Sequence, residues 1–141
     1  MKKAMGIAEE ARFEYKGYPC VVLFMEAGHR CGYVGVPKGK KVNEDIIRCH
    51  GSITYARNEL ALQTDTDRFW IGFDTAHCFD KRDYKKAKEY FGEDVEVMKR
   101  ILLMEALDDK YGLYGEIRTL EFCIEECKQI IEQIIEMESK R

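Results

Sequence analysis

The sequence predicts an α+β fold in which an antiparallel β-sheet comes first and helices follow. Up to about residue 75, short runs rich in β-branched and aromatic residues alternate with turn residues, as strands joined by hairpins do. After residue 82, the apolar residues recur at helical spacing instead. Strands and helices are thus segregated, and no Gly-x-Gly-x-x-Gly joins a strand to a helix, so a parallel nucleotide-binding sheet is not predicted.

The first half reads as a series of short strands. We predict an irregular lead-in or a short helix over residues 1–11, then a strand from Phe13 that turns at Lys16-Gly17. The apolar run Val21–Met25 has strand length and suits the centre of a sheet. A third strand lies within residues 29–39 and ends in a basic, glycine-containing loop.

The next segments lead to the stretch that contains the only tryptophan. Asn43 is expected to cap a short helical turn that reaches Arg48. Residues 53–56 form a predicted strand, and residues 60–67 a polar loop. A strand over residues 69–73 then delivers Asp, Thr and His to the loop of residues 74–80, which is a common way to present polar groups to a ligand.

Three helices are predicted after residue 81. The first contains Tyr84 and ends at Gly92, the second covers residues 95–107, and a turn lies between Gly112 and Gly115. The last runs over about residues 116–139 and carries apolar residues at alternating steps of three and four, namely Ile117, Leu120, Ile124, Cys127, Ile131 and Ile134. A single helix cannot bury such a seam alone. We expect it to pack on the sheet and, at its distal end, on another subunit, which predicts a homo-oligomer.

Length and charge limit the classes of function. A chain of 141 residues is expected to form one domain, with a mainly β ligand-binding part over residues 1–80 and a helical part over residues 81–141. The net charge of −3 argues against wrapping of duplex DNA. No apolar run is long enough to span a membrane and no signal peptide is recognisable, so we expect a cytoplasmic protein.

The six cysteines are expected to be thiols, because a cytoplasmic chain does not keep a disulfide framework. No pair has Cys-x-x-Cys spacing. Cysteines and histidines could converge on zinc, but buried thiols and isolated imidazoles are the commoner outcome, so neither a metal nor a cofactor is predicted. A second interpretation is a hydrolase in which His50, Asp74 and His77 form an acid–base centre, with Cys31 or Cys49 as nucleophile. No nucleophile-elbow or His-Glu-x-x-His motif accompanies these residues.

Several motifs resemble a family of small phage and prophage proteins from Gram-positive hosts. They are Gly28-His29-Arg30-Cys31-Gly32-Tyr33-Val34-Gly35-Val36-Pro37-Lys38-Gly39, His50-Gly51 with Thr54-Tyr55, Trp70-Ile71-Gly72-Phe73-Asp74 with Ala76-His77, and Glu116-Ile117-Arg118-Thr119-Leu120-Glu121 with Cys127-Lys128. The family is identified as the first described Thoeris anti-defence family. The chain departs from its pattern at Ser52, Thr75 and Phe79, where Gly, Cys and Gly are frequent.

The resemblance implies a protein of the host cytoplasm that sequesters cyclic ADP-ribose isomers made by a TIR-domain sensor, without cleaving them. It also implies an oligomer, with a second site for cyclic trinucleotides in some members. Such a ligand needs aromatic rings for the base, cations and backbone N–H groups for the diphosphate, and polar groups for the riboses. The candidate ligand-binding residues are Arg30, Tyr33, Gly35, Lys38, His50, Gly51, Thr54, Tyr55, Arg57, Trp70, Phe73, Asp74 and His77. A structural phage oligomer without a ligand is the third interpretation.

Overall fold

A computed structural model describes residues 1–64, 67–112 and 114–140. Within these residues, an antiparallel sheet of six strands is followed by three α-helices, which confirms the predicted α+β class. The strands are β1 (Lys3–Ala4), β2 (Ile7–Tyr15), β3 (Tyr18–Met25), β4 (Arg30–Pro37), β5 (Tyr55–Arg57), β6 (Arg68–Asp74), β7 (Phe79–Lys81) and β8 (Gly115–Ile117). The helices are α1 (Tyr84–Phe91), α2 (Val95–Tyr111) and α3 (Leu120–Ser139).

The main sheet has the strand order β1-β2-β3-β4-β6-β5, so the apolar β3 and β4 are central. Its two faces differ in what covers them. On one face, α3 packs over residues of β3, β4 and β6 such as Val22, Val34 and Phe73. On the opposite face, Leu60 from the loop before β6 closes over Val21, Leu23, Tyr33 and Trp70. We call these the helix face and the loop face.

The helix face depends on a glycine in the middle of β4. A Cβ at Gly32 would lie 3.0 Å from the Cys127 Sγ of α3 and closer still to the Phe73 ring. The missing side chain therefore lets the helix approach the strand, as expected where another group must come close. At the other end of this face, Phe24 packs with Ala87 of α1 and Ile101 of α2.

The apolar seam of the last helix faces its own sheet. Cys127, Ile131 and Ile134 are fully buried within the single chain, so packing on the sheet accounts for this part of the seam. Ile117 is not in the helix, because α3 begins at Leu120 behind the N-cap Thr119, whose hydroxyl accepts from the N–H of Phe122. Ile117 instead belongs to β8 (Gly115–Ile117), which pairs in parallel with β7.

The prediction for residues 1–11 is wrong, because β1 and the first part of β2 lie there. The register of β2 against β3 shifts between Glu9 and Ala11, which is a β-bulge. A bulge interrupts the period-2 alternation by which a strand is recognised. Smaller differences occur at β5, which is shifted toward Arg57, and at β7, which lies in a predicted loop. The turn at Lys16-Gly17, the Asn43 cap and the end of α1 at Gly92 are confirmed.

Candidate functional site

Asp80 is the centre of a polar cluster that joins three distant parts of the chain. Its carboxylate is 1 % exposed and accepts a hydrogen bond from Arg118 Nε at 2.8 Å. His50 Nε2 lies 2.8 Å from the same carboxylate, and the backbone N–H of His77 donates to it at 3.1 Å. The loop after β4, the segment after β6 and the approach to α3 therefore meet at one buried anion.

A second histidine–carboxylate pair lies beside the first. His77 Nε2 is 3.1 Å from Asp74 Oδ1, and the Thr54 hydroxyl donates to Asp74 Oδ2 at 2.9 Å. The backbone N–H of Ala76 also donates to Asp74, at 3.0 Å. The ring centroids of His50 and His77 are 5.9 Å apart, so the two pairs form one surface. We call the six residues His50, Thr54, Asp74, His77, Asp80 and Arg118 the His–Asp cluster.

Gly51 makes the close approach of the two histidines possible. Its φ of +68° is in the left-handed region, and a Cβ there would overlap the His77 imidazole. The neighbouring His50 is fixed from α3, because Glu126 accepts its backbone N–H at 2.8 Å and the Phe122 ring meets its imidazole edge-on at 5.3 Å. The cluster is thus positioned by backbone contacts as well as by charge.

The ionised form of Asp80 is favoured in the folded chain. Burial by itself raises the pKa of this carboxyl group, but hydrogen bonds from His50 and Arg118, helped by the His77 N–H, outweigh burial and lower the pKa. Asp80 is therefore an anion at neutral pH, already satisfied by its neighbours. Asp80 therefore holds His50, Arg118 and the His77 backbone in place.

Another group of predicted residues lies on the loop face of the sheet. The strand register places Tyr33 opposite Gly72 and Gly35 opposite Trp70, with Tyr55 and Arg57 on the next strand. Tyr33 meets Tyr55 edge-on at 5.2 Å, and the Arg57 guanidinium lies over the Tyr55 ring. These contacts are within the protein, so the aromatic residues form a packed layer here.

Trp70 is fully buried in this layer, where its ring would lie 3.0 Å from a Cβ added at Gly35. Gly35 thus gives room to a tryptophan of its own sheet. Among the described residues, the buried Trp70 Nε1 has no hydrogen-bond partner. An unsatisfied buried donor costs about 1–3 kcal/mol, so the site for this indole is imperfect.

The remaining predicted residues are not part of either group. Arg30 is 3 % exposed, and its guanidinium is held by Glu10 at 2.6 Å and Asp83 at 3.1 Å, with Arg118 contributing a carbonyl. Its pKa is raised, since pairing with Glu10 and Asp83 outweighs burial, and it fastens α1 to the sheet. Phe73 is buried on the helix face, and Lys38 is exposed beyond the end of β4.

A cleft of about 380 Å³ opens next to the His–Asp cluster. It lies between the segment after β6 and the segment before β8, and we call it the β7 cleft. Residues on its wall include His29, His77, Phe79, Asp80, Arg82 and Tyr114. Burial lowers the pKa of His29, so this imidazole is neutral at physiological pH. The wall of the cleft thus carries the Asp80 carboxylate, the Arg82 guanidinium, imidazoles and two aromatic rings.

The structure gives no support to a cysteine nucleophile. Burial raises the pKa of Cys31 and of Cys49 to about 11, so both are protonated at neutral pH, and the thiolate is the reactive form. In residues 1–64, 67–112 and 114–140, no group of three or more His, Cys, Asp or Glu side chains is arranged to hold a metal ion. No helix in the described part of the chain has the length and apolar character needed to cross a bilayer.

Sequence reasoning found most of the His–Asp cluster but missed two of its members. His50, Gly51, Thr54, Asp74 and His77 were candidates and are brought together. Asp80 and Arg118 were not candidates, although both lie in or beside the motifs that carry the family resemblance. Phe79 and Tyr114 were also missed, since only the exposure of an aromatic side chain distinguishes it from a core residue.

The chain matches no protein-family model, no curated protein and no solved structure.

Proposed function

We propose that this is a phage anti-defence protein, one that binds and sequesters cyclic ADP-ribose-type signalling nucleotides in the host cytoplasm without cleaving them. Sequestration would block host immunity that depends on TIR-domain signalling. The proposal starts from the resemblance of the motifs around His50, Trp70–His77 and Arg118 to the Thoeris anti-defence family. Cyclic oligonucleotides are a second class of ligand within the same proposal.

One observation supports the proposal above the others. The motifs that carry the resemblance are far apart in the sequence, yet Arg118, His50 and the His77 backbone all bond to the single carboxylate of Asp80. The group adjoins a cleft of about 380 Å³, and small-molecule sites have volumes of about 300–1,000 Å³. Polar groups that converge beside a cleft of this size suit a nucleotide with several ribose hydroxyls.

Calorimetry with purified cyclic ADP-ribose isomers and cyclic oligonucleotides tests the proposal. Asp74→Ala removes a carboxylate at the edge of the His–Asp cluster, and a hydrogen bond to a charged group contributes about 1.5–3 kcal/mol. We therefore expect binding to weaken about tenfold to a hundredfold. Arg57→Ala is the comparison, because Arg57 lies over the Tyr55 ring, opposite Trp70 in the register and four residues along β6 from Asp74. Unchanged binding in Arg57→Ala would restrict the site to the His–Asp cluster, and equal weakening would extend it to the Tyr55 strand. If the wild-type protein gives no heat with any of these ligands, sequestration is wrong.

A hydrolase is the second candidate, and the paired histidines favour it. His50 with Asp80 and His77 with Asp74 are two imidazoles, each oriented by a carboxylate, which is the arrangement that general acid–base catalysis uses. Incubation with the nucleotide, denaturation and mass spectrometry separate the two functions. Recovery of unchanged ligand supports sequestration, and a converted ligand supports catalysis. Absence of any retained nucleotide supports the structural oligomer instead.

The proposal includes a homo-oligomer, to which the last helix contributes only at its distal end. The buried side of α3 is already covered by the sheet. Near its C-terminus, however, Met137 and the exposed Ile46 border an apolar groove of about 300 Å³. Helix α2 offers a larger apolar surface, since Leu102, Leu103 and Leu107 are each 46–62 % exposed. Exposed apolar patches commonly mark interaction sites.

The charges on α2 suit contact with a second copy of itself. If two α2 helices pack antiparallel about Leu103, Glu96 of one copy lies opposite Lys110 of the other, and the reverse pair forms by symmetry. Leu103→Lys is expected to reduce the mass measured by light scattering. Glu96→Lys should weaken the association, and the double swap Glu96→Lys with Lys110→Glu should restore it. A wild-type monomer, or an unchanged mass in Leu103→Lys, would exclude this interface.

A further inference from the structure

We propose that Phe79 and Tyr114 form a stacking subsite for a nucleobase in the β7 cleft. This inference rests on the proposed nucleotide-binding function and specifies where the base of the ligand is held. Both residues line the cleft, and their side chains are 65 % and 86 % exposed. Two exposed aromatic rings on one cleft offer a surface for stacking, and every nucleobase has a flat face that can stack on such rings.

The backbone of Phe79 is held in an unusual conformation. Its φ of +72° lies in the left-handed region, which is disfavoured for a bulky residue and is often found at ligand sites. Two contacts maintain it: the N–H of Asp80 donates to the His77 carbonyl at 3.1 Å, and β8 pairs with β7 at Gly115. The fold therefore fixes an aromatic ring in an outward position.

Gly115 is needed for that arrangement. A Cβ at this position would overlap the carbonyl group of Phe79, and the φ of +153° is one that glycine adopts most readily. The pairing of β7 with β8 brings Phe79 opposite Gly115, and Tyr114, which immediately precedes Gly115, lines the same cleft. The same small parallel sheet thus positions both aromatic residues.

Charge distinguishes this cleft from its neighbour. A second cleft of about 410 Å³, which shares Arg82, is lined by four carboxylates, those of Asp83, Glu105, Asp108 and Asp109, and by the cations Lys81 and Lys85. The β7 cleft has one carboxylate, that of Asp80, and it is already bonded to His50 and Arg118. Arg82, whose Nη1 also pairs with Asp108 at 3.2 Å, and His77 add donors to the wall. Counting Asp, Glu, Lys and Arg, the lining carries three cations and four carboxylates in the second cleft and one of each in the β7 cleft, so a diphosphate is repelled slightly less in the β7 cleft.

Calorimetry with cyclic ADP-ribose isomers tests the subsite, with adenosine as a smaller probe that has a base but no phosphate. Phe79→Leu and Tyr114→Leu each remove one ring and keep an apolar side chain. Loss of one base–aromatic stack is expected to weaken binding about 5- to 100-fold. The matched controls Phe79→Tyr and Tyr114→Phe keep the rings and should bind as the wild type does. Circular dichroism and the urea midpoint identify any variant that fails to fold.

The outcomes separate this inference from the function on which it rests. Weaker binding of the cyclic nucleotide and of adenosine by both leucine variants, with unchanged ring-preserving controls, supports the subsite. If the wild type binds a cyclic ADP-ribose isomer and both leucine variants bind it equally well, the subsite is wrong while sequestration stands. If the wild type binds none of the isomers, the proposed function fails, and the subsite fails with it.

Discussion

Replacement of Asp80 by Asn tests whether the anion at the centre of the His–Asp cluster stabilises the fold. The carboxylate accepts from Arg118, His50 and the His77 backbone, whereas an amide offers a single acceptor oxygen and no charge. At least one charged hydrogen bond is lost. The structure therefore predicts that the free energy of unfolding at pH 7 falls by about 1.5–3 kcal/mol.

Urea denaturation at pH 7 measures this change. With an m value of about 1–3 kcal/mol per molar, the midpoint should fall by roughly 1 M. Asp74→Asn is the matched control, because the Asp74 side chain is 28 % exposed and that of Asp80 is 1 % exposed. More of the Asp74 interaction is replaced by water, so its loss should cost less.

The pH dependence supplies a second readout with a definite sign. The pKa of Asp80 is lowered in the folded state from its usual value of 3.8, so its contribution is present above that pH and is lost as the pH falls through the folded pKa. The gap in stability between wild type and Asp80→Asn should therefore close in acid. Equal midpoints at pH 7 would refute the reasoning, and a gap that does not narrow at all as the pH falls below 3.8 would show that shape, and not charge, accounts for it.

Three further predictions concern glycine, cysteine and the core. Gly51→Ala should lower the free energy of unfolding by more than about 1 kcal/mol and weaken nucleotide binding, because the added Cβ overlaps His77. Gly39→Ala is the control, since φ is also positive there but nothing lies within 4 Å of the added Cβ, and it should cost less when both variants are unfolded in urea. Iodoacetamide should label Cys78 first, because it is the exposed cysteine of the six, and peptide mass spectrometry would show this; faster labelling of a buried cysteine would contradict the packing. Ile131→Ala should lower the free energy of unfolding by about 2–5 kcal/mol, because Ile131 is fully buried under the sheet; a cost below 1 kcal/mol would place it at the surface.

The sequence by itself determined the order and type of most elements. Apolar runs of strand length, the turn at Lys16-Gly17 and the caps at Asn43 and Gly92 are local signals, and local signals survive folding. From these signals the sequence predicts that the sheet precedes the helices along the chain. The first strands were missed, because the bulge at Glu9–Ala11 interrupts the alternation on which the prediction depends.

The sequence pattern did not determine what the apolar seam of the last helix packs against. The same apolar sequence pattern fits a helix that packs on a sheet and a helix that packs on another subunit. The burial of Cys127 and Ile131 within the single chain, with Gly32 under Cys127, shows that the sheet covers the seam. Arg30 is a similar case. A cation beside glycines resembles an anion site in the sequence, but Glu10 and Asp83, which pair with it, come from other elements.

The tertiary structure alone decided which polar residues are brought together in the candidate site. Asp80, His50 and Arg118 are far apart along the chain, and no periodicity links them. They meet because β7 pairs with β8, which precedes α3, and because Gly51 lets the His50 loop approach His77. Residue type and local spacing predict elements, whereas a site depends on contacts between elements that only the packed chain brings together.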